Sequence, residues 1–127
     1  VSKAKSHTPA ISGVISRAAC NAANELKAAA IVSSTKSGAT ARRISQCRPE
    51  CPIVAVTPSE KVAKSLAFCF GVYPVVAEDQ NSTDAMMANA TKIAVENGFA
   101  NSGDTVVIAA GLDQVGSTNL LKVSVVE

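Results

Sequence analysis

The sequence is poor in aromatic residues: its 127 positions contain no tryptophan, one tyrosine and three phenylalanines. Proteins that bind single-stranded nucleic acid stack bases on aromatic rings along a strongly basic surface. The formal net charge of this chain is only +2, so both features are missing. We therefore expect no nucleic acid among its partners.

Long apolar runs are also absent. No stretch of the sequence approaches the roughly 20 apolar residues that a membrane-spanning helix needs. The first ten residues, VSKAKSHTPA, lack the apolar segment of a secretory signal. These features predict a cytoplasmic protein with no membrane partner, in which residues 1–7 form a flexible tail and residues 8–127 form one domain.

Residues with the chemistry of catalysis are scarce. The single histidine, His7, lies in the polar N-terminal segment, so no Ser/His/Asp or Cys/His arrangement can be assembled without it. The nucleotide-binding patterns GxxxxGK[ST] and GxGxxG do not occur. We expect no catalytic residue in this chain, which predicts that it is not an enzyme by itself.

The four cysteines show no CxxC pair and no histidine at the spacing of a zinc site, so we expect no metal. Cys20 and Cys69 fall in apolar, periodic segments and are predicted to be core thiols. Cys47 and Cys51 are close enough in sequence to approach each other. A reduced state is the preferred interpretation for a cytoplasmic protein.

Apolar residues are abundant, with 47% hydrophobic and 17% charged residues, as in an ordered globular domain. Periods of three to four residues predict helices, and short apolar runs predict buried strands. The predicted helices carry inward stripes: Ile11, Ile15, Ala18, Ala22 and Leu26; Ala41, Ile44 and Cys47; Val62, Leu66, Cys69 and Phe70; and Met86, Ala90, Ile93 and Ala94 between Thr83 and Asn97. The predicted strands are Ala28–Val32, Ile53–Val56, Val72–Val76 and Asp104–Ala110.

A fifth strand is predicted at LLKVSVV, where Leu121, Val123 and Val125 alternate with polar residues. The connection before it has no room for a crossover helix, so this strand should run antiparallel to its neighbour. Pro74 would place its own strand near a sheet edge. The order α-β-α-β-α-β-α-β-β predicts an α/β fold with three α/β/α layers around a five-stranded mixed, mostly parallel sheet.

Residues 33–43, SSTKSGATARR, place five hydroxyl side chains, one glycine and three cations between a strand and a helix. Backbone N–H groups at a helix N-terminus attract anions, and open α/β sheets bind ligands at the carboxyl ends of their strands. Ser37 is a good N-cap candidate, and Gly38 lets a ligand approach the backbone. The pattern fits either an anion site or a capped surface turn.

A second segment rich in donors follows the fourth strand and would emerge on the same side of the sheet as the first. It contains Gly116, Ser117 and Thr118. This second loop either contributes to one anion site or makes only a flexible turn.

Residues 27–75 resemble the C-terminal domain of pyruvate kinase, which has a TxSGxTAR loop, an RP turn, a PIxAVT strand and a GxxP strand in this order. The segments NGFANSGDTVVIAAG (97–111) and TNLLKV (118–123) are similar to the closing segments of the same family. The likeness extends over nearly the whole chain from about Thr8.

The resemblance implies a regulatory and oligomerising domain with a five-stranded mixed sheet. In the family, phosphoryl transfer from phosphoenolpyruvate to ADP takes place in a separate barrel domain, which also holds the Mg and K ions; no cofactor is then expected here. The expected partners are the catalytic domains of the same polypeptide, other copies of the chain and a phosphate-bearing effector. The residues that match the family's effector loop are Thr35, Lys36, Ser37, Gly38, Ala39 and Thr40.

Two departures from the family concern the effector. Eukaryotic members hold the second phosphate of fructose 1,6-bisphosphate with an aromatic residue and an arginine, but here Met86 stands at the arginine's place and tryptophan is absent. The closing loop is also shorter. A single phosphate is therefore expected, as in AMP, ribose 5-phosphate, or inorganic phosphate or sulfate. The alternative hypothesis is a stand-alone assembly or phosphate-binding module without a catalytic partner domain.

Overall fold

A computed structural model describes residues 11–78, 80, 82–110 and 120–127. Within these residues four helices and five strands alternate in the predicted order. The helices are α1 (Ile11–Leu26), α2 (Ala39–Gln46), α3 (Glu60–Leu66) and α4 (Thr83–Glu96). The strands are β1 (Ala30–Ser34), β2 (Ile53–Thr57), β3 (Val72–Val76), β4 (Thr105–Ala110) and β5 (Leu120–Val125). The predicted tail, residues 1–7, lies outside the described residues.

The strands form one mixed sheet with the order β3-β2-β1-β4-β5. The first four are parallel, and β5 pairs with β4 in the antiparallel direction. Pro74 lies in β3 at one edge, where a residue that cannot donate a backbone hydrogen bond is tolerated. The predicted fold class, the antiparallel last strand and the edge position of Pro74 are therefore confirmed.

Helices cover both faces of this sheet, but unequally. On the first face, α1, α2 and α3 pack over Ile31, Ile53 and Val107. On the second face, α4 packs over Val32 and Ile108. Because both faces are covered, the central strands are apolar on both sides, as is usual for parallel sheets.

The inward face of α1 differs from the predicted stripe. Its buried residues include Ser16, Ala19 and Ala23, whereas Leu26 is 51% exposed. The prediction for Leu26 is wrong because α1 turns a narrow strip of small side chains toward the sheet. Small residues allow this helix to lie close to β1 and β4.

Three other apolar residues of the predicted patterns are also more exposed than expected. Phe70, expected to continue the stripe of α3, lies beyond the end of that helix and is 53% exposed. In β5, Val123 and Val125 are exposed rather than buried. Since β5 is an edge strand, the helices of the first face leave part of it uncovered.

None of the described helices is both long and apolar enough to cross a membrane.

Candidate functional site

The hydroxyl-rich turn, residues 35–38, follows β1 at the centre of the sheet. Ser34, the last residue of β1, lies beside Val56 of β2 and beside Ala110 of β4. The chain proceeds from β1 through β2 to β3 on one side, whereas β4 lies on the other side. At such a reversal of strand order, α/β sheets place their ligands outside the carboxyl ends of the two strands, here β1 and β4.

Thr35 fixes the first half of the turn. Its backbone N–H donates to the carbonyl oxygen of Val56 at 2.9 Å, and its Oγ1 accepts from the N–H of Gly38, also at 2.9 Å. The side chain is buried. Thr35 therefore holds the turn against β2 while the chain reverses into α2.

The N-cap of α2 is Gly38 and not Ser37, so that prediction is wrong. Gly38 has a φ of 90°, in the left-handed region that favours glycine, and no side chain caps the helix. Ser37 lies one position earlier, and its Oγ accepts weakly from the N–H of Ala39 at 3.3 Å. The first backbone N–H groups of α2 therefore follow a residue that has no side chain.

The predicted loop residues differ in exposure. Lys36 and Ser37 are exposed, and Ala39 is half-buried. Thr40 is buried, with 2% of its surface accessible. Within the turn, Lys36 and Ser37 are therefore the residues most accessible to an incoming anion, whereas Gly38 is buried. The binding role of all six residues stays a prediction.

Arg42, on α2, also contacts this turn. Its guanidinium donates to the carbonyl oxygen of Ser37 at 3.1 Å and to Oγ of Ser65 at 2.8 Å. A helical side chain leans toward the N-terminus of its helix, and Arg42 lies four residues after Gly38. The spacing SGxxxR was the available signal for this contact. Arg42 therefore links the turn to α3 and places a cation beside it.

One buried hydroxyl near the turn lacks a partner. Ser33 Oγ, in β1, is inaccessible to solvent and makes no hydrogen bond within the described part of the chain. Such groups are uncommon in native proteins because each costs roughly 1–3 kcal/mol. The strand that leads into the turn therefore carries an uncompensated polar group two residues before Thr35.

The second predicted loop, Gly116, Ser117 and Thr118, lies outside the described residues. The last described residue before it, Ala110, ends β4 directly beside Ser34. Within residues 11–78, 80, 82–110 and 120–127, no cluster of histidine, cysteine or acidic side chains has the arrangement of a metal site. The groups that the turn and Arg42 offer to a ligand are hydrogen-bond donors and cations.

The family model and the individual relatives that match this chain all point to the same protein family. Residues 14–124 match the family model described as "Pyruvate kinase, alpha/beta domain". The chain is similar to the pyruvate kinase of Clostridium acetobutylicum, with 48% identity over 118 residues, covering 91% of this chain and 25% of that protein. It is also 48% identical over 103 residues to the pyruvate kinase of Staphylococcus epidermidis, covering 80% of this chain and 18% of that protein. The chain thus spans about a quarter, or less, of the length of these relatives.

Proposed function

This chain belongs to the family of pyruvate kinase alpha/beta domains, and on that premise we propose that it is the regulatory domain of a pyruvate kinase, with residues 35–40 as the binding loop for a phosphate-bearing effector. The observation that carries the proposal is the N-terminus of α2. Gly38 is the N-cap of this helix, without a capping side chain, and lies four residues after the end of β1, the strand at which the strand order reverses. Partial positive charge at a helix N-terminus favours a phosphate there.

The side chains around this helix end support the same ligand class. Lys36 supplies an exposed ammonium group, and Ser37 supplies an exposed hydroxyl. The guanidinium of Arg42 lies within hydrogen-bond distance of the turn. Hydrogen bonds to charged groups contribute roughly 1.5–3 kcal/mol each. A dianionic phosphate ester is the ligand that uses these groups together.

We further propose that the loop recognises one phosphate, as in AMP, ribose 5-phosphate or inorganic phosphate. Met86 stands where eukaryotic members of the family have the arginine for a second phosphate. In this chain Met86 is a half-buried residue of α4, an apolar side chain that offers no charge to a second phosphate.

The first test is a calorimetric titration of the chain with AMP, ribose 5-phosphate, glucose 6-phosphate and fructose 1,6-bisphosphate at low salt. Low salt is needed because exposed charge contacts are screened. We expect a monophosphate to bind saturably. The double variant Lys36→Ala, Ser37→Ala should weaken its binding roughly ten- to a hundredfold, because it removes one cation and one hydroxyl donor.

Lys122→Ala is the matched control, since it also removes one exposed lysine but lies on β5. This control should leave the dissociation constant unchanged. Equal weakening by the control would mean that only net charge matters. Failure of a folded chain to bind any of the four esters would contradict the proposed loop function.

The catalytic step of the parent enzyme is proposed to lie elsewhere in the polypeptide. The relatives are named pyruvate kinases, and this chain corresponds to a quarter or less of them. We propose that the complete protein transfers a phosphoryl group from phosphoenolpyruvate to ADP, and that the present domain adjusts that activity. Addition of the effector to the complete enzyme should then change the dependence of its rate on phosphoenolpyruvate.

A second proposed role is assembly, which the exposure of β5 favours. This strand forms one edge of the sheet, and its Val123 and Val125 are 45% and 59% exposed. Unpaired edges with apolar side chains pair readily with another chain. We propose that β5 associates with another copy of the domain, with α1, which contacts β5, forming part of the same surface.

Substitution of Val123 by lysine tests this role. We expect at least a tenfold weaker self-association in sedimentation equilibrium, because a charge at the edge must be desolvated when two strands pair. Val95→Lys, at a similarly exposed valine of α4, is the control. A strictly monomeric native chain at high concentration would argue against assembly through β5.

A further inference from the structure

Three of the four cysteines meet where α1 contacts the end of α2. Cys20 lies in α1, Cys47 is the C-cap residue of α2, and Cys51 lies in the turn before β2. The Cys20 thiol donates to the carbonyl oxygen of Cys47, with 3.6 Å between the sulfur and the oxygen. All are free thiols. The sequence predicts that Cys47 and Cys51 could approach each other, and the structure shows a contact between the thiol of Cys20 and the backbone of Cys47.

A polar bridge holds the two segments together. The side-chain amide of Asn24, one turn after Cys20, donates to Cys20 Sγ at 4.0 Å, and its Oδ1 accepts from the backbone N–H of Glu50 at 3.0 Å. Glu50 lies between Cys47 and Cys51. Asn24 therefore holds the segment that contains Cys47 and Glu50 beside α1, which carries Cys20.

The two thiols of the pair differ in accessibility. Cys20 is 4% exposed, whereas Cys47 is half-buried. Burial raises the pKa of the Cys20 thiol, and the neighbouring Cys47 thiol raises it further. Oxidants attack thiolates that solvent can reach. Of these two thiols, Cys47 is therefore the one that an oxidant attacks first. Cys20 is the buried thiol that can then react with the oxidised Cys47.

We propose that Cys20 and Cys47 form a reversible intramolecular disulfide when hydrogen peroxide oxidises Cys47. The sulfur of Cys47 attacks one peroxide oxygen, the O–O bond breaks, and a sulfenic acid and water form. The sulfur of Cys20 then attacks the sulfenic sulfur and displaces hydroxide, which leaves as a second water with the thiol proton. In total, two thiols lose two electrons and two protons, and hydrogen peroxide is reduced to two waters.

The disulfide would enclose the candidate phosphate loop. The two cysteines are 27 positions apart, and the segment between them contains β1, residues 35–38 and the whole of α2. Closing this segment restricts the unfolded chain and fixes the end of α2 against α1. Oxidation therefore stabilises the element that carries the loop, whether or not the loop binds a phosphate.

Cys51 and Cys69 are the two other thiols that could form a disulfide in place of the pair Cys20 and Cys47. Cys51 interacts electrostatically with Cys20, and burial raises its pKa as well. Cys69 lies in the connection between α3 and β3, and it serves as a control because the described contacts of Cys20 do not include it. In the part of the chain that the structure describes, these thiols do not have the arrangement of a metal site.

The test treats the folded chain with about one equivalent of hydrogen peroxide, followed by thiol counting and a peptide map without reductant. We expect the free thiols to fall from four to two, the monomer to lose two hydrogens in mass, and the peptide with Cys20 to be joined to the peptide with Cys47. The melting temperature should rise by about 5 °C. Dithiothreitol should reverse all of these changes.

The variants separate this pair from its alternatives. Cys51→Ser and Cys69→Ser should keep the cross-link, and Cys47→Ser should lose it while circular dichroism shows that the chain remains folded. A link between Cys20 and Cys51, a link between two chains, or overoxidation of Cys47 without any cross-link would overturn the proposal.

Discussion

Replacement of Ile44 by alanine is expected to lower the free energy of unfolding by about 3 kcal/mol, the typical cost of removing a buried isoleucine side chain. Ile44 is fully buried and is the only large apolar residue of α2, whose sequence is ATARRISQ. An eight-residue helix is not stable alone and depends on such an anchor. The loss should therefore also loosen the N-terminus of α2, where the effector loop is proposed.

Urea unfolding followed by circular dichroism measures this effect, with the phosphate-ester titration as a second readout. Arg43→Ala, at the adjacent exposed position of α2, is the matched control and should change stability by less than about 0.5 kcal/mol. Similar losses for both variants would mean that Ile44 does not anchor the helix. Unchanged effector affinity in the Ile44 variant would mean that binding by the loop does not depend on the packing of Ile44.

Gly38→Ala is expected to cost about 2–3 kcal/mol of stability and to disturb the proposed loop directly. A φ of 90° is strained for any residue with a Cβ, at a cost of about 1–2 kcal/mol. A Cβ at position 38 would also lie 2.7 Å from a guanidinium nitrogen of Arg42 and 3.2 Å from Cγ1 of Val62. The arginine can move, but its hydrogen bonds to Ser37 and Ser65 would then be lost.

Gly103→Ala separates the two causes. Gly103 has nearly the same φ, 91°, but no atom lies within 4 Å of an added Cβ. It should show the backbone cost alone, about 1–2 kcal/mol. We expect the Gly38 variant to be the less stable by urea unfolding, with weaker binding of phosphate esters. Equal losses at both glycines, with binding retained, would show that close approach at Gly38 has no special role.

The order of elements in this protein followed from local patterns. Short apolar runs such as Ile53–Val56 and the periodic segment from Thr83 have lengths and flanking residues that distinguish strands from helices. The short connection before Leu120 required an antiparallel last strand, and the proline within β3, Pro74, placed that strand near an edge of the sheet. Each of these inferences depends on chain geometry or on a missing donor, both of which are properties of the sequence alone.

Local sequence patterns also located the hydroxyl-rich loop, but they did not predict the hydrogen bonds within it. Gly38 rather than Ser37 is the N-cap of α2, and its N–H donates to Oγ1 of Thr35, which is itself anchored to Val56 of the neighbouring strand. The orientation of Arg42 toward α3 depends on Ser65, 23 positions away. Val56 and Ser65 are both distant in sequence, so a local pattern could not predict these two contacts, although the bonds from Gly38 to Thr35 and from Arg42 to Ser37 are local.

Burial at the periphery was likewise decided by the tertiary structure. Leu26, Phe70 and Val123 continue apolar patterns, yet all three are about half exposed, because a pattern predicts which face a residue occupies but not whether another element covers that face. The contact between Cys20 and Cys47 arises in the same way, from the packing of α1 against the end of α2. The sequence by itself thus determined the elements, their order and the position of the loop, which depend on neighbours along the chain. Only the tertiary structure decided caps, exposed apolar residues and the thiol pair, since these depend on which distant segments come into contact.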